Sequence, residues 1–180
     1  ELRAIFVPAE NLTREKLQND PTLTVRGLIK RSNVAMIGTT DDPCSDLHWH
    51  KLLAESDFPV KVCPSFRPDP ALNLHKPGFA AYIDRLAEAS GMEIRSAADV
   101  KKALTARIEY FRENGCRAAD HGLDYVMYQP ATDEQVENAF RKAMDGQVLT
   151  LEEQEGYQTA MLLHCGREYA RLGIVMQLHF

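Results

Sequence analysis

The sequence predicts an α/β fold in which short parallel strands alternate with longer helices. Two short apolar runs, at residues 34–38 and 60–63, are rich in β-branched residues and bounded by Gly or Pro, which is typical of strands buried on both faces. Two further short runs, at residues 116–121 and 174–180, are also interpreted as strands. Amphipathic stretches separate these runs, and each connection is long enough for a right-handed crossover. The chain has 180 residues, 44% of them hydrophobic, which suffices for one well-buried core. We therefore expect one domain over residues 34–180, preceded by an irregular, partly helical lead-in over residues 1–33.

The strands follow one another along the chain with helical patterns between them. In chain order they are predicted at residues 34–38, 60–63, 116–121 and 174–180, and a helix is predicted at residues 45–55. Three further helices begin with a capping box, in which a Ser or Thr and a residue three positions later satisfy free backbone N–H groups. These boxes start at Ser96, Thr132 and Thr150, and the matching glycine stops are Gly115, Gly146 and Gly173.

Composition excludes several classes of partner. The net charge of −5 and the mixed distribution of charges leave no basic surface, so we expect neither nucleic acid nor a membrane as a partner. The four cysteines form no CxxC pair, and no secretory leader is recognised, which indicates a reduced, cytoplasmic setting. No apolar run is long enough to cross a bilayer. Because the first residue is Glu1 rather than Met, we expect further residues upstream.

Polar residues follow the carboxyl end of every predicted strand. They are Asp41 and Asp42, then Ser65 and Arg67, then Asp120 and His121, then Gln177 and His179. In a (β/α)₈ barrel, substrates and metals bind where the βα loops converge at these strand ends. An open doubly wound sheet concentrates ligands only near its switch point. Four successive polar strand ends therefore favour a barrel of the TIM type.

Two of these strand ends allow both a structural and a functional interpretation. Asp42-Pro43 is a common turn opening, because Asp bonds the following backbone and Pro fixes φ, so Asp42 could serve the turn alone. Arg67 could pair with Asp69, or it could present its planar fork to a substrate carboxylate.

The histidines also leave alternatives open. Asp120-His121 could be an orienting pair or an acid–base pair for proton transfer, or His121 could cap the following turn. His179 is in period-two register with Gln177 and could be a metal ligand, but one histidine alone never makes a metal site. The His48-Trp49-His50 triplet falls on a predicted helix, where its two imidazoles point to different faces, so we discount it as a chelating pair.

The order and spacing of four motifs resemble the central part of a uronate isomerase, a member of the amidohydrolase superfamily. The motifs are GTTDDP at residues 38–43, VCPSFRPD at 62–69, GCRAADHGLD at 115–124 and QLHF at 177–180. The resemblance implies an aldose–ketose isomerisation of D-glucuronate and D-galacturonate in a distorted barrel with one divalent metal, zinc. By the same resemblance, His179 is a metal ligand, Arg67 holds the substrate and Asp120 is an active-site acid.

The resemblance also implies an incomplete active site. The family's His-x-His pair after its first strand and its aspartate near the last strand have no match in this chain. We therefore expect roughly half of a barrel, with strand edges left unpaired and no turnover by the segment alone. We assign Asp120 and His121 to catalysis, Arg67 and Asp42 to substrate binding and His179 to the metal, and we expect a homo-oligomer. The alternatives are a truncated barrel module with a structural role and another hydrolase of the superfamily.

Overall fold

The strands within residues 18–180 are all parallel and follow one another in space as they do in sequence. The computed structural model describes residues 18–180. Its strands are β1 (Met36–Gly38), β2 (Lys61–Cys63), β3 (Ser65–Phe66), β4 (Ala118–Gly122) and β5 (Val175–His179). β1 pairs with β2, and β3, β4 and β5 form a three-stranded sheet in that order. The predicted α/β fold with parallel strands is confirmed.

Pro64 separates β2, which lies within the second predicted strand at residues 60–63, from β3, which was not predicted. Proline has no backbone N–H and therefore interrupts a ladder of hydrogen bonds. The pairing resumes immediately, because Asp41 and Phe66 form an isolated parallel bridge that continues the register between β1 and β2. The Asp41 N–H donates to the Ser65 carbonyl over 2.9 Å, and the Arg67 N–H donates to the Asp41 carbonyl over 3.0 Å. This bridge joins the two sheets and sets Asp41 beside Arg67.

The helices lie mainly between the strands, as predicted. Within residues 18–180 they are α1 (Val25–Arg31), α2 (His48–Glu55), α3 (Asp69–Leu72), α4 (Phe79–Ser90), α5 (Ala97–Glu113), α6 (Asp133–Met144) and α7 (Leu151–Leu172). α3 and α4 were not predicted. α2 begins three residues later than predicted, because Leu47 before it has the left-handed φ of 55°. The first 17 residues of the predicted lead-in lie outside the described part of the chain.

The capping signals are confirmed at the helix starts. Thr132 and Thr150 each form a reciprocal capping box, with Gln135 and Glu153. Ser96 accepts from the Asp99 N–H at 3.1 Å, so the third predicted start is also capped. Gly146 and Gly173, with φ of 69° and 63°, end the last two helices in the left-handed conformation that favours glycine.

The core lies between the sheet and the helices α5 and α7. Phe66 on β3 packs edge-on against Phe111 at 5.0 Å and against Tyr169 at 6.2 Å between ring centroids. The prediction that the strands are buried on both faces is wrong for the outer strands, since Met36 is 59% and Val175 69% exposed. The reason is that the described helices cover only the inner side of these strands. None of the described helices has the length and apolar character to span a bilayer.

Candidate active site

A cleft of about 790 Å³ lies at the carboxyl ends of the strands. Its wall contains residues that follow β1 and β3, the end of β4, the end of β5 and the start of α4. A site of this size is in the range that small-molecule ligands occupy. The structure thus brings the four predicted polar strand ends to one place.

Four charged or titratable side chains form what we call the strand-end network: Arg67, Asp69, Asp120 and His179. Arg67 Nε donates to Asp69 Oδ2 over 2.7 Å, and its Nη1 lies 3.4 Å from Asp120 Oδ2. The other carboxylate oxygen of Asp120 lies 2.9 Å from Nδ1 of His179. Asp120 therefore bridges the cation and the imidazole, and residues from β4 and β5 and from the loop after β3 are held as one unit.

The alternation of a β-strand decides which histidine Asp120 meets. Successive side chains of β4 point to opposite faces, so Asp120 and His121 cannot face each other. Asp120 turns toward the cleft side and bonds to His179 on the neighbouring strand, where Asp120 is in register with Gln177. The orienting pair predicted within Asp120-His121 is therefore not formed, and the partner of the carboxylate is 59 residues away.

Gly122 allows the network to close around the end of β4. A Cβ built on Gly122 would clash with Arg67 Nη2 and lie 3.1 Å from His179 Nε2 and 3.3 Å from Asp69 Oδ2. Its backbone N–H donates to Asp69 Oδ2 over 3.2 Å. Three network atoms thus occupy the space that a side chain at this position would take, so a larger residue would displace the Arg67 guanidinium.

Arg67 does both of the things that the sequence left open. It pairs with Asp69, yet its side chain is 36% exposed and lines the cleft. The hydrogen bond to Asp69 and the charges of Asp69 and Asp120 raise the pKa of Arg67 above its usual value. Nη2 forms no hydrogen bond to any of residues 18–180, so one corner of the planar fork is free for a ligand.

Asp42 lines the cleft and also forms the turn that was its structural alternative. Its Oδ1 accepts from the Cys44 N–H over 2.8 Å and from the Tyr82 hydroxyl over 3.3 Å. Burial, together with the charge of Asp42, raises the pKa of Cys44 to about 11, so this thiol stays protonated. The bonds from the Cys44 N–H and the Tyr82 hydroxyl fix the Asp42 carboxylate as a hydrogen-bond acceptor on the cleft wall.

Asp41, which also lines the cleft, is held by a side chain that the sequence analysis set aside. The Thr39 hydroxyl donates to Asp41 Oδ2 over 2.6 Å, and His50 Nε2 lies 2.7 Å from the same hydroxyl. His50 is on α2, in agreement with our decision not to treat His48-Trp49-His50 as a chelating pair. Its role is to support the rim of the cleft through Thr39.

His121, which we assigned to catalysis, does not reach the cleft. Its side chain is 0% exposed, and its ring packs against Tyr169 at 5.7 Å between centroids. Burial lowers the pKa of His121 to about 4, so the ring is neutral at ordinary pH. A group enclosed in this way cannot contact a substrate in the cleft, and it does not cap the turn after β4 either, since neither ring nitrogen bonds to any of residues 18–180.

A further wall of the cleft, formed by α4 and the loop before it, was not predicted from the sequence. Tyr82, Arg85 and Lys76 line this wall, and Arg85 lies over the Tyr82 ring at 5.3 Å. A signal for α4 was present, because Phe79, Tyr82, Ile83 and Leu86 recur at helical spacing and are all buried. The N-cap residue is Gly78, which has no side chain to cap the helix. The start of α4 therefore lacks the sequence signal that predicted α5, α6 and α7.

Comparison with known proteins agrees with this geometry. Residues 9–180 match the model of a protein family described as glucuronate isomerase. The chain belongs to the glucuronate isomerase family. Among curated members, the chain is 49% identical over 170 residues to the uronate isomerase of Lachnoclostridium phytofermentans, covering 94% of this chain and 36% of that protein. It is 44% identical to the uronate isomerase of Clostridium perfringens, covering 99% of this chain and 41% of that protein.

Solved structures of the glucuronate isomerase family share the fold. The chain superimposes on uronate isomerase from Thermotoga maritima with a TM-score of 0.85 and 31% identity, over 92% of this chain and 37% of that one. For glucuronate isomerase from Caulobacter crescentus the TM-score is 0.82 and the identity 27%, over 92% of this chain and 34% of that one. The chain thus spans a little over a third of the length of these family members.

The fit of a metal ion to this family segment can be tested on His179. Its Nδ1 is held by the Asp120 carboxylate, which leaves Nε2 for another partner, and His179 lines the cleft. A metal-binding histidine typically has its second nitrogen oriented by a carboxylate in this way. Residues 18–180 contain no group of three or more candidate ligands. The arrangement therefore fits one ligand of a metal site and does not by itself form such a site.

Proposed function

We propose that the whole protein isomerises uronic acids, converting D-glucuronate to D-fructuronate and D-galacturonate to D-tagaturonate. One observation carries the proposal: in a chain of the glucuronate isomerase family, a cleft at the strand ends contains an oriented arginine with a free guanidinium nitrogen. The curated relatives named above are uronate isomerases, and this segment covers only part of their length. The activity is therefore proposed for the whole protein rather than for these 180 residues.

Arg67 is proposed to bind the carboxylate of the sugar acid. Asp69 and Asp120 hold Nε and Nη1 and so fix the plane of the guanidinium, which leaves Nη2 to donate charge-assisted hydrogen bonds to a carboxylate. Arg85 and Lys76 add positive charge to the opposite wall of the same cleft. Asp42, a fixed acceptor, is proposed to take a hydrogen bond from a sugar hydroxyl.

Asp120 is proposed to act through its neighbours. Isomerisation moves a hydrogen between C1 and C2, which requires a base and polarisation of the carbonyl. Both oxygens of Asp120 are engaged, Oδ1 with His179 and Oδ2 with Arg67, and the side chain is only 17% exposed. Asp120 would therefore keep Arg67 and His179 in place through these two contacts.

His179 is proposed to bind one divalent metal, zinc, through Nε2. When bound, the metal would supply polarisation of the sugar carbonyl. The contribution of this segment would be a single imidazole of fixed orientation, which the bond between Nδ1 and Asp120 supports.

The whole protein is proposed to be a (β/α)₈ barrel, of which this segment supplies successive units. Parallel strands in chain order and polar residues at their carboxyl ends support this architecture. The exposed outer faces of β1 and β5 also support it, because further strands and helices would cover them.

The test is turnover of D-glucuronate by the whole protein supplied with zinc, followed by detection of the keto sugar. We expect isomerase activity with D-glucuronate or D-galacturonate and none by residues 1–180 alone. Absence of keto sugar from both uronates with the whole protein, in the presence of zinc, would reject the proposed function. Hydrolysis of an amide or ester by the same preparation would point to another reaction class.

A further inference from the structure

Four buried polar atoms beside the strand-end network have no hydrogen-bond partner among residues 18–180. They are Asp69 Oδ1, both ring nitrogens of His121 and the Tyr169 hydroxyl. Buried polar atoms nearly always have a partner, either in the protein or in an ordered water molecule. Their occurrence together therefore indicates an interaction that the side chains alone do not complete.

Asp69 and His121 are separated by the distance that one water molecule bridges. His121 Nδ1 lies 4.0 Å from Asp69 Oδ1, too far for a direct hydrogen bond and suited to a shared water. The surroundings are closed, since His121 is 0% and Tyr169 1% exposed, and the Tyr169 ring covers the imidazole. A water at this position would be trapped rather than exchanged with the cleft.

The two oxygens of Asp69 face different parts of the protein. Oδ2 accepts from Arg67 Nε over 2.7 Å and from the Gly122 N–H over 3.2 Å, on the cleft side. Oδ1 faces the enclosed imidazole. A hydrogen bond to Oδ1 from behind would therefore stop the carboxylate from rotating about its Cβ–Cγ bond and would fix the direction of Arg67 Nε.

We propose that His121 is a positioning residue for Arg67: its Nδ1–H holds Asp69 Oδ1 through one buried water molecule and thereby sets the plane of the guanidinium. This inference rests on the proposed function, in which Arg67 binds the carboxylate of the uronate. It assigns to His121 a role behind the cleft rather than contact with the substrate. It also accounts for a fully buried polar side chain packed against the Tyr169 ring.

Two matched variants of the whole protein locate the interaction on one ring nitrogen. His121→Asn places an amide near the position of Nδ1, whereas His121→Gln places it near Nε2. We expect His121→Asn to keep a KM for D-glucuronate close to that of the wild type, and His121→Gln and His121→Phe to raise KM roughly tenfold, since a hydrogen bond to an ionised group is lost. Because the reacting carbons are not contacted, kcat should change far less than KM. Equal KM values for the Asn and Gln variants would overturn the proposal.

Crystal structures of the wild-type whole protein and of His121→Gln provide a readout that does not depend on activity. We expect density for a water between Asp69 Oδ1 and His121 Nδ1 in the wild type. In the Gln variant we expect a rotated Asp69 and loss of its bond to Arg67 Nε. An unchanged Asp69–Arg67 pair in the variant would overturn the proposal even if the protein were not an isomerase. Conversely, absence of turnover with the expected rotation would reject the proposed function alone.

Discussion

The end of β4 and the Arg67 guanidinium are in close contact: a methyl group on Gly122 would clash with Arg67 Nη2 and displace that side chain. The nitrogen that would be displaced is the one that forms no bond to any of residues 18–180. The same methyl group would lie 3.1 Å from His179 Nε2, the atom proposed to bind the metal. Gly122 therefore lies between the atom proposed to bind the substrate carboxylate and the atom proposed to bind the metal.

Gly122→Ala in the whole protein should move the Arg67 side chain out of its place. The colliding atom is at the end of a flexible chain, so the fold should tolerate the change while KM for D-glucuronate rises about 10-fold to 100-fold. Steady-state kinetics and a thermal melt measure the two effects. Gly38→Ala is the matched control, because its Cβ would meet only Ser65 Oγ at 3.6 Å, an ordinary contact. Similar KM values for the two variants would contradict the prediction.

Arg67→Ala should weaken the binding of a uronate far more than that of a neutral aldose. The variant removes the cation and leaves the charges of Asp69 and Asp120 uncompensated, so we expect KM for D-glucuronate to rise roughly 100-fold. Arg67→Lys keeps the charge without the planar fork and should fall between the wild type and the Ala variant. The inhibition constant of D-glucose, measured for each variant, is the reference. An equal loss for both sugars would remove Arg67 from the carboxylate site.

Much of the fold could be predicted because its signals are local. The capping boxes at Thr132 and Thr150 and the stop at Gly173 depend on residues within one helical turn, and the structure confirms them. The strand ends were also predictable, since β-branched runs followed by polar residues are read from the sequence directly. α4 was missed although its spacing was visible, because its start carries no capping side chain.

The pairings within the candidate site could not be predicted, because they depend on the register between strands. Asp120 contacts His179 across 59 residues, and this follows only once β4 and β5 are aligned. Sequence neighbours suggested the Asp120–His121 pair, which the alternation of the strand forbids. The continued pairing beyond Pro64 could not be predicted either, because it depends on the bridge between Phe66 and Asp41, which lie 25 residues apart in sequence.

Stability should fall with decreasing pH in a window set by His121. Its folded-state pKa is lowered by burial to about 4, whereas an unfolded histidine titrates near 6.5. Below about pH 6.5 His121 is protonated in the unfolded chain but remains neutral in the folded chain. The stability present above this pH is therefore lost as pH falls toward 4. The full loss is on the order of 3 kcal/mol.

Urea denaturation of the whole protein between pH 7 and pH 4 measures this slope. His121→Asn, which cannot be protonated, should flatten it. A residual slope should persist from His164, whose pKa burial also lowers. Identical slopes for the wild type and the variant would show that His121 titrates normally in the folded protein.

Arg107 on α5 should stabilise the cleft, because it links the loop after Asp42 to α4 and α5. Its guanidinium is buried and donates to the carbonyls of Pro43 (2.7 Å), Ser45 (2.7 Å) and Ala89 (2.9 Å). Arg107→Met would keep the apolar stem but leave three carbonyls without a donor, at a cost of about 3 kcal/mol in the free energy of unfolding.

The same variant should also affect the site, since Asp42 depends on the loop that Arg107 holds. We expect a severalfold rise in KM for D-glucuronate in addition to the loss of stability, both measured on the whole protein. Arg95→Ala is the control, because Arg95 has a side chain that is 77% exposed and forms only a surface ion pair with Glu93, worth at most about 1 kcal/mol. If Arg107→Met were no less stable than Arg95→Ala, the three carbonyl bonds would not hold the loop, and the position of Asp42 would have to come from its bonds to the Cys44 N–H and the Tyr82 hydroxyl.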